Sequence, residues 1–301
     1  MQGADFYDVQ QVHSVYFPEC VDFVKRMTGA TAVLCFDHSI RNAAREGDGG
    51  ISGPVSFVHN DNTLASGPQR ARQLLKPVPE VEEILSHRYA IMNVWRRWDG
   101  GNDMPLAVCS GDSLAPDNSD MQGSDLVYTN RTGEIYSAIR SENQTFFWFS
   151  DMKPDEALIL KVYDSLAVGE TLPGTAAGQQ QQPVPNAKWT LHSAFPHPCA
   201  SAAAGTAPGP RESCEVRVLV LWAPVELASK ATLRGVTGLL GGDTFFDPES
   251  GEYVAETADG QSAAMLTESY SGSRDDVYAK FRTQTAKFRK RGRNPSGGYM
   301  D

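Results

Sequence analysis

No run of about 18 apolar residues occurs anywhere in this 301-residue chain, so no segment has the length and apolarity of a bilayer-spanning helix. No Cys-x-x-Cys pair is present either. The five cysteines (Cys20, Cys35, Cys109, Cys199 and Cys214) are odd in number and widely scattered. That pattern lacks the signature of a structural zinc site and fits reduced thiols serving as small buried hydrophobes in an intracellular protein. The opening residues, MQGADFYDVQQVHSVYF, lack the basic and apolar regions of a secretory signal. Together these features set the expectation of a cytoplasmic protein. Positive charge is in deficit, with 27 Lys and Arg against 37 Asp and Glu and a net charge of −10. Broad affinity for nucleic acid or for an anionic membrane is therefore not expected, since phosphate binding needs a basic surface. Internal repeats are absent, and histidine is scarce at 6 residues.

What the chain does hold is enough apolar material for a sizeable core, 41% hydrophobic residues with 13 Phe, 10 Tyr and 5 Trp. Short strand-like runs separated by Gly, Asn, Asp and Pro follow one another: TAVLCF at 31–36, 55–58 leading into His59, 89–95, 105–109, 135–139, the aromatic 146–149, ALILKVY at 157–163, 189–195 and CEVRVLVLW at 214–222. This spacing favours a barrel or jelly roll over a doubly wound parallel sheet. Helical periodicity appears at 18–27 and again from 67 to 87, where Pro77 and Pro79 break it. Two small-residue segments, 169–186 with its four consecutive glutamines and the Ala-rich 198–210, interrupt the strand pattern. Past residue 224 the chain changes character, ending in a basic helix candidate over 275–291 on which Tyr278, Phe281 and Phe288 share one face. That face suits packing on the body or on a second subunit, so a homodimer contact is one expectation for it.

His59-Asn60-Asp61 is the chain's one His-x-Asp/Glu match. On an extended segment the first and third residues point to the same side, so one imidazole nitrogen and one carboxylate oxygen can reach a single ion. Two histidines and one carboxylate make the facial triad of non-heme Fe(II) sites, which leaves coordination positions open for substrate and oxygen. Chance supplies close to one such match in a chain of this composition, so its weight depends on a third ligand. His192 is the best candidate, because it lies in an extended segment before the long apolar strand, and residues distant in sequence can meet across adjacent strands of a small barrel. His13 and His38 precede the core strands, His87 ends the helical segment, and the Phe195-Pro196 step makes joint use of His192 and His197 unfavourable. Nineteen residues after His192 comes Arg211-Glu212-Ser213. Arg211, Ser213, Glu215 and Arg217 alternate with Cys214, Val216 and Val218, giving one polar and one apolar strand face. A guanidinium fork suits a carboxylate ligand, and a serine two residues on can donate to the same group.

In this order, His-x-Asp, distant His, Arg-x-Ser, the chain resembles the Fe(II)/2-oxoglutarate-dependent oxygenases, and within them the hydroxylase/desaturase family that includes the cephem methoxylase component and gibberellin desaturase-like proteins. The residues that carry the resemblance are 15–42, VHNDNT (58–63), the 67–72 run with two arginines, RYAIMNVWR (88–96), PLAVCSGDS (105–113), 149–165, LHSAF (191–195) and PRESCEVRVLVLW (210–222). It covers roughly 13–224. The inserted segments around His192 depart from the pattern, and 225–301 have no recognised counterpart.

The resemblance implies a mainly β (α+β) double-stranded β-helix, a cupin-like jelly roll with flanking helices, in one oxygenase domain over 1–301, with 225–301 an extension serving as lid or oligomer contact. It implies His59, Asp61 and His192 as the iron ligands and catalytic centre, with Fe(II), 2-oxoglutarate and O2 as cofactor and co-substrates. Arg211 would anchor 2-oxoglutarate with help from Ser213, Arg217 being the reserve choice, and Asn93 and Arg96 would contact co-substrate or substrate. Tyr128, Trp148 and Tyr163 are expected in the core. The substrate would be a small secondary metabolite or amino acid, undergoing hydroxylation, desaturation or oxidative ring formation. A zinc hydrolase using the same triad and a catalytically silent cupin-like ligand-binding protein are the competing readings; the hydrolase would need neither oxygen nor Arg211 and Ser213.

Overall fold

The computed structural model describes residues 5–48, 50–127, 132–150, 152–166, 188–199 and 208–233, together with short strands at 244–247, 252–256, 262–264 and 287–290. The chain enters through α1 (Val9–Gln11), which Asp8 caps by accepting from the Gln10 and Gln11 amides. A π-helical stretch, Val12–Tyr16, then leads into α2 (Phe17–Thr28). Phe17, Cys20 and Val24 fall on one buried stripe of α2, as the 3.6-residue period dictates. Gly29 ends the helix at φ 65°, a left-handed conformation that only glycine adopts without steric cost.

The strands β1 (Ala32–Arg41), β3 (Tyr89–Gly100), β8 (Leu158–Asp164) and β10 (Arg211–Leu221) form a four-stranded sheet in the order β1-β10-β3-β8. A seven-stranded sheet contains β2 (His59–Asn60), β4 (Leu106–Cys109), β5 (Met121–Val127), β6 (Thr132–Ala138), β7 (Phe146–Trp148), β9 (His192–Ala194) and β14 (Lys287–Lys290) in the order β14-β5-β6-β2-β9-β4-β7. The pairings within both sheets are antiparallel. Strands β11 (Thr244–Asp247), β12 (Glu252–Glu256) and β13 (Ser262–Ala264) form a third, small sheet. The helical run from 67 to 87 is divided into α3 (Ser66–Leu74) and α4 (Val81–Leu85), with Pro77 and Pro79 between them, and α5 (Val225–Leu233) follows β10. No described helix is long and apolar enough to cross a membrane.

Two cores follow from the two faces of the four-stranded sheet. Leu34, Phe36, Ile91, Trp95, Leu219 and Leu221 join Leu106 of the other sheet and Leu191 just before β9, along with Leu74 and Ile84 of the helices. On the reverse face Val33, Met92, Val94, Val216, Val218 and Val220 pack on Val24 and its neighbours in α2. Burying each such side chain contributes roughly 1.5–3 kcal/mol. Strand β10 therefore reads with period two: odd residues enter the space between the sheets and even ones face the helices. Its odd face is apolar at Leu219 and Leu221 but polar at Arg211, Ser213, Glu215 and Arg217, which confines the polar site to one end of the inter-sheet space.

Three expected elements differ in the structure. The strand expected at 55–58 is displaced to His59–Asn60, because the Val55 and Val58 carbonyls accept singly from the amides of Ala194 (2.8 Å) and Ala138 (2.9 Å) without a continuous ladder. The strand expected at 189–195 shortens to His192–Ala194. Residues 287–290 of the expected basic helix form a strand instead, pairing with Ser124–Val127; the open edge of β5 supplies the backbone partners that a lone helix would not use. Tyr278 and Phe281, Tyr128, the whole small-residue segment 169–186 and residues 200–207 of the second lie outside the described residues. Tyr163 is in the core, whereas Trp148 is half-buried against Phe195 and His197. Four cysteines are buried as expected, Cys199 is exposed, and all five are free.

Candidate metal centre

His59 and His192 sit directly opposite one another where β2 pairs with β9. Asp61 follows on the bend after β2. One ligand atom from each of the three lies within 4.8 Å of the others, and no other group of three His, Cys, Asp or Glu among the described residues could hold an ion. Asp61 Oδ1 is 3.5 Å from His59 Nε2 and 4.0 Å from His192 Nε2.

The outward nitrogen of each ring is accounted for. His59 Nδ1 lies 2.9 Å from the Phe57 carbonyl and His192 Nδ1 lies 2.8 Å from the Thr190 carbonyl. Each ring thus meets the carbonyl two residues before itself. A carbonyl can only accept, so Nδ1 carries the proton and Nε2 offers its lone pair toward Asp61, the arrangement a metal-ligating histidine needs. The carboxylate is oriented in the same way. Asn93 Nδ2 donates to Asp61 Oδ2 at 2.8 Å and Arg217 Nε at 3.3 Å, leaving Oδ1 toward the histidines. Burial opposes the charge on Asp61, but the His59 contact and the Arg217 and His192 charges outweigh it and hold the carboxyl well below the usual range. At His59 burial works against protonation and the Asp61 contact more than restores it; His192 is lowered by burial and by its neighbour His59. Two neutral-capable imidazoles and an ionised carboxylate suit a divalent ion of the first transition row.

The polar face of β10 divides into two parts. Arg217 is saturated with acid: its guanidinium meets Asp37 at 3.0 Å, Glu215 at 2.7 Å and Asp61 at 3.3 Å, and donates to Ser39 Oγ at 2.9 Å. Arg211 is only 3% exposed. Its backbone amide donates to Asp103 Oδ1 at 2.8 Å and its NH1 to the Met104 carbonyl at 2.6 Å, and its guanidinium lies 5.6 Å from the Trp95 ring centre. Arg211 Nε, Ser213 Oγ and Asn93 Oδ1 are buried without a hydrogen-bond partner among the described residues. Buried orphans of this kind are costly, and an unused N–H of a buried guanidinium with an unused hydroxyl two residues on is what a carboxylate ligand would satisfy.

Asn93 and Arg217 therefore join the triad, while Arg211 and Ser213 lie farther along the same face of β10. Arg96 does not join them. It is three positions from Asn93, so the pleat turns it to the reverse face, where it donates to the Pro154 carbonyl at 2.6 Å and lies over the Phe6 and Tyr16 rings. His13 and His38 pack against each other with ring centres 5.3 Å apart, and burial pushes His13 down to about 3. His197 accepts from the Cys199 amide at 3.0 Å. Missed from the sequence were Asp37, Ser39 and Arg41, which share the inward face of β1 opposite Arg217, Glu215 and Ser213 in register. Their alternation with His38 and Ile40 was the available signal.

Residues 1–221 match a family model described as "YDMC: Oxidoreductase/YMDC permease-like domain". The Fe(II)/2-oxoglutarate-dependent dioxygenase nvfI of Aspergillus novofumigatus is 32% identical over 215 residues, covering 71% of this chain and 68% of that protein. The hydroxylase/desaturase efuI of Hormonema carpetanum is 30% identical over 242 residues, covering 72% of each. Among solved structures, the iron and alpha-ketoglutarate-dependent endoperoxidase NvfI superposes with a TM-score of 0.59 at 29% identity, covering 72% of both chains.

Proposed function

The chain belongs to the Fe(II)/2-oxoglutarate-dependent dioxygenases, in an oxidoreductase family whose model spans residues 1–221, and on that premise we propose that His59, Asp61 and His192 hold its iron while Arg211 and Ser213 receive the distal carboxylate of 2-oxoglutarate. The enzyme uses Fe(II), 2-oxoglutarate and O2; the zinc-hydrolase and catalytically silent readings are not favoured. The observation that carries the ligand assignment is the meeting of three ligand atoms within 4.8 Å, with both Nδ1 atoms already committed to carbonyls. The facing antiparallel sheets, with the triad at one end of the space between them, support a double-stranded β-helix. The pairing of β14 with β5 supports treating 225–301 as an extension of one domain.

Bound iron with 2-oxoglutarate and O2 supplies the oxidising power to remove hydrogen from an unactivated carbon, with 2-oxoglutarate leaving as succinate and carbon dioxide. The chain's own residues do the positioning. Asn93 and Arg217 fix the Asp61 carboxylate, the Phe57 and Thr190 carbonyls fix the two rings, and Arg211 with Ser213 neutralises and orients the co-substrate. The relatives named hydroxylase/desaturase and endoperoxidase support a small organic substrate, a secondary metabolite or amino acid, that is hydroxylated, desaturated or closed into a ring according to which carbon is presented. Anaerobic addition of Fe(II) and 2-oxoglutarate should produce a weak visible charge-transfer band that His59→Ala abolishes. A band that persists in that variant, or none with the intact protein, removes the assignment.

A further inference from the structure

We propose that Arg41 is a second cation of the 2-oxoglutarate site, closing with Arg211 and Ser213 on the distal carboxylate. The inference rests on the reading that Arg211 anchors that group. Acid is unevenly distributed within the site. Arg217 forms ion pairs with Asp37, Asp61 and Glu215 together. Arg41 and Arg211 form none with any described residue; Arg41 donates to the Gly53 carbonyl at 3.2 Å and Arg211 to that of Met104. Each guanidinium keeps most of its five donors free of an acceptor among the described residues.

Register brings the two together. Arg41 of β1 stands opposite Ser213 of β10, and Arg211 lies two residues from Ser213 on the same inward face. The three residues thus span adjacent strands around the unpartnered Arg211 Nε and Ser213 Oγ. Burial lowers both guanidiniums; at Arg211, brought to about 10, the Arg41 charge is the next cause. With Arg211 buried and Arg41 half-buried, two like charges drawn together out of bulk water are unfavourable in the protein alone, although Glu215 offsets part of the cost at both. A carboxylate relieves the desolvation, the repulsion and the orphaned hydroxyl together, because its two oxygens offer about four acceptor sites. One cation would suffice for a neutral or weakly polar end group; the pair selects a full negative charge.

The test compares 2-oxoglutarate with 2-oxovalerate, which keeps the oxo-acid head and five-carbon chain but ends in a methyl group. Affinities are measured anaerobically on the Fe(II)-loaded protein by titrating the charge-transfer band, with thermal melts confirming that each variant is folded. Arg41→Ala should weaken 2-oxoglutarate by about 10- to 100-fold, the range for a charged hydrogen bond, and leave 2-oxovalerate unchanged; Arg41→Lys should recover part of the loss. If Arg41→Ala leaves 2-oxoglutarate binding intact, or weakens both acids equally, Arg41 is not part of the site. A wild-type protein that binds both acids equally well, or an Arg211→Ala variant whose preference for the diacid is as strong as that of wild type, instead overturns the Arg211 anchor on which the inference stands.

Discussion

Asn93 donates to Asp61 through a 2.8 Å bond to Oδ2, and this bond decides which oxygen of Asp61 faces the histidines. Asn93 is fully buried on the inward face of β3, so the donor cannot swing away, and Arg217 holds the same oxygen from β10. Outer partners of metal ligands of this kind are worth about 10- to 100-fold in metal affinity. Asn93→Ala should lower Fe(II) affinity by that factor, and Asn93→Asp should lower it further by placing a like charge beside Asp61. Equilibrium dialysis of Fe(II), or of Mn(II) as a stable substitute, checks this; equal affinity in all three proteins would mean that Asp61 needs no orientation.

The two arginines of β10 should separate by phenotype. Arg211→Ala is expected to weaken 2-oxoglutarate binding by about 10- to 100-fold with Fe(II) affinity unchanged. Arg217→Ala leaves Asp37, Asp61 and Glu215 without their shared cation, and should impair iron binding and lower the melting temperature. Parallel titrations of metal and co-substrate distinguish the two patterns, and their exchange would make Arg217 the anchor.

Part of this arrangement was legible in the residues and part was not. Period two alone divides Arg211, Ser213, Glu215 and Arg217 from Cys214, Val216 and Val218, because a long strand with one charged and one apolar face has only one way to bury itself. The same rule excludes Arg96 from the face of Asn93, since an odd separation along a strand puts two side chains on opposite sides. The adjacency of His59 and His192 is different in kind. It arises from β2 and β9 becoming neighbours across 132 intervening positions, and nothing local to either strand states it. Strand β14 shows the opposite limit: Tyr278, Phe281 and Phe288 have helical spacing, yet 287–290 pair with an edge whose existence depends on the whole sheet.

Asp164 gives the fold a dependence on acid. Its side chain is 1% exposed, accepts from Arg88 at 2.8 and 3.2 Å and from Lys161 at 3.1 Å, and takes the Leu166 amide. Burial works to raise its pKa, but the Arg88 hydrogen bonds and the two cations prevail and depress it. A depressed folded-state pKa contributes stability that is complete above the unfolded value of about 3.9 and is lost as pH falls through the folded one. Asp164→Asn should therefore cost about 3–5 kcal/mol at neutral pH, as when one partner of a buried ion pair is removed. The difference from wild type should shrink in denaturant titrations as pH is lowered below about 4; a difference independent of pH would assign the loss to packing.

Arg211 is held at the start of β10 by a close approach of two backbones. Gly101 forms a bridge with Arg211, its amide donates to the Pro210 carbonyl at 3.1 Å, and the Asp103 amide donates to the Gly209 carbonyl at 3.0 Å. The two backbones approach so closely that a Cβ on Gly101 would overlap the Gly209 carbonyl. Backbone cannot rotate aside as a flexible side chain can, so Gly101→Ala must displace 208–211 and carry the Arg211 guanidinium with it. The triad is held by β2, β9, β3 and by Arg217, six residues farther along β10 than Arg211, and should be spared. Co-substrate affinity should fall by about tenfold or more, since misplacement by about 1 Å can cost up to ~100-fold where geometry is decisive, while Fe(II) affinity stays near wild type. Loss of both affinities together would show that the Gly101–Gly209 contact supports the whole site and not the Arg211 end alone.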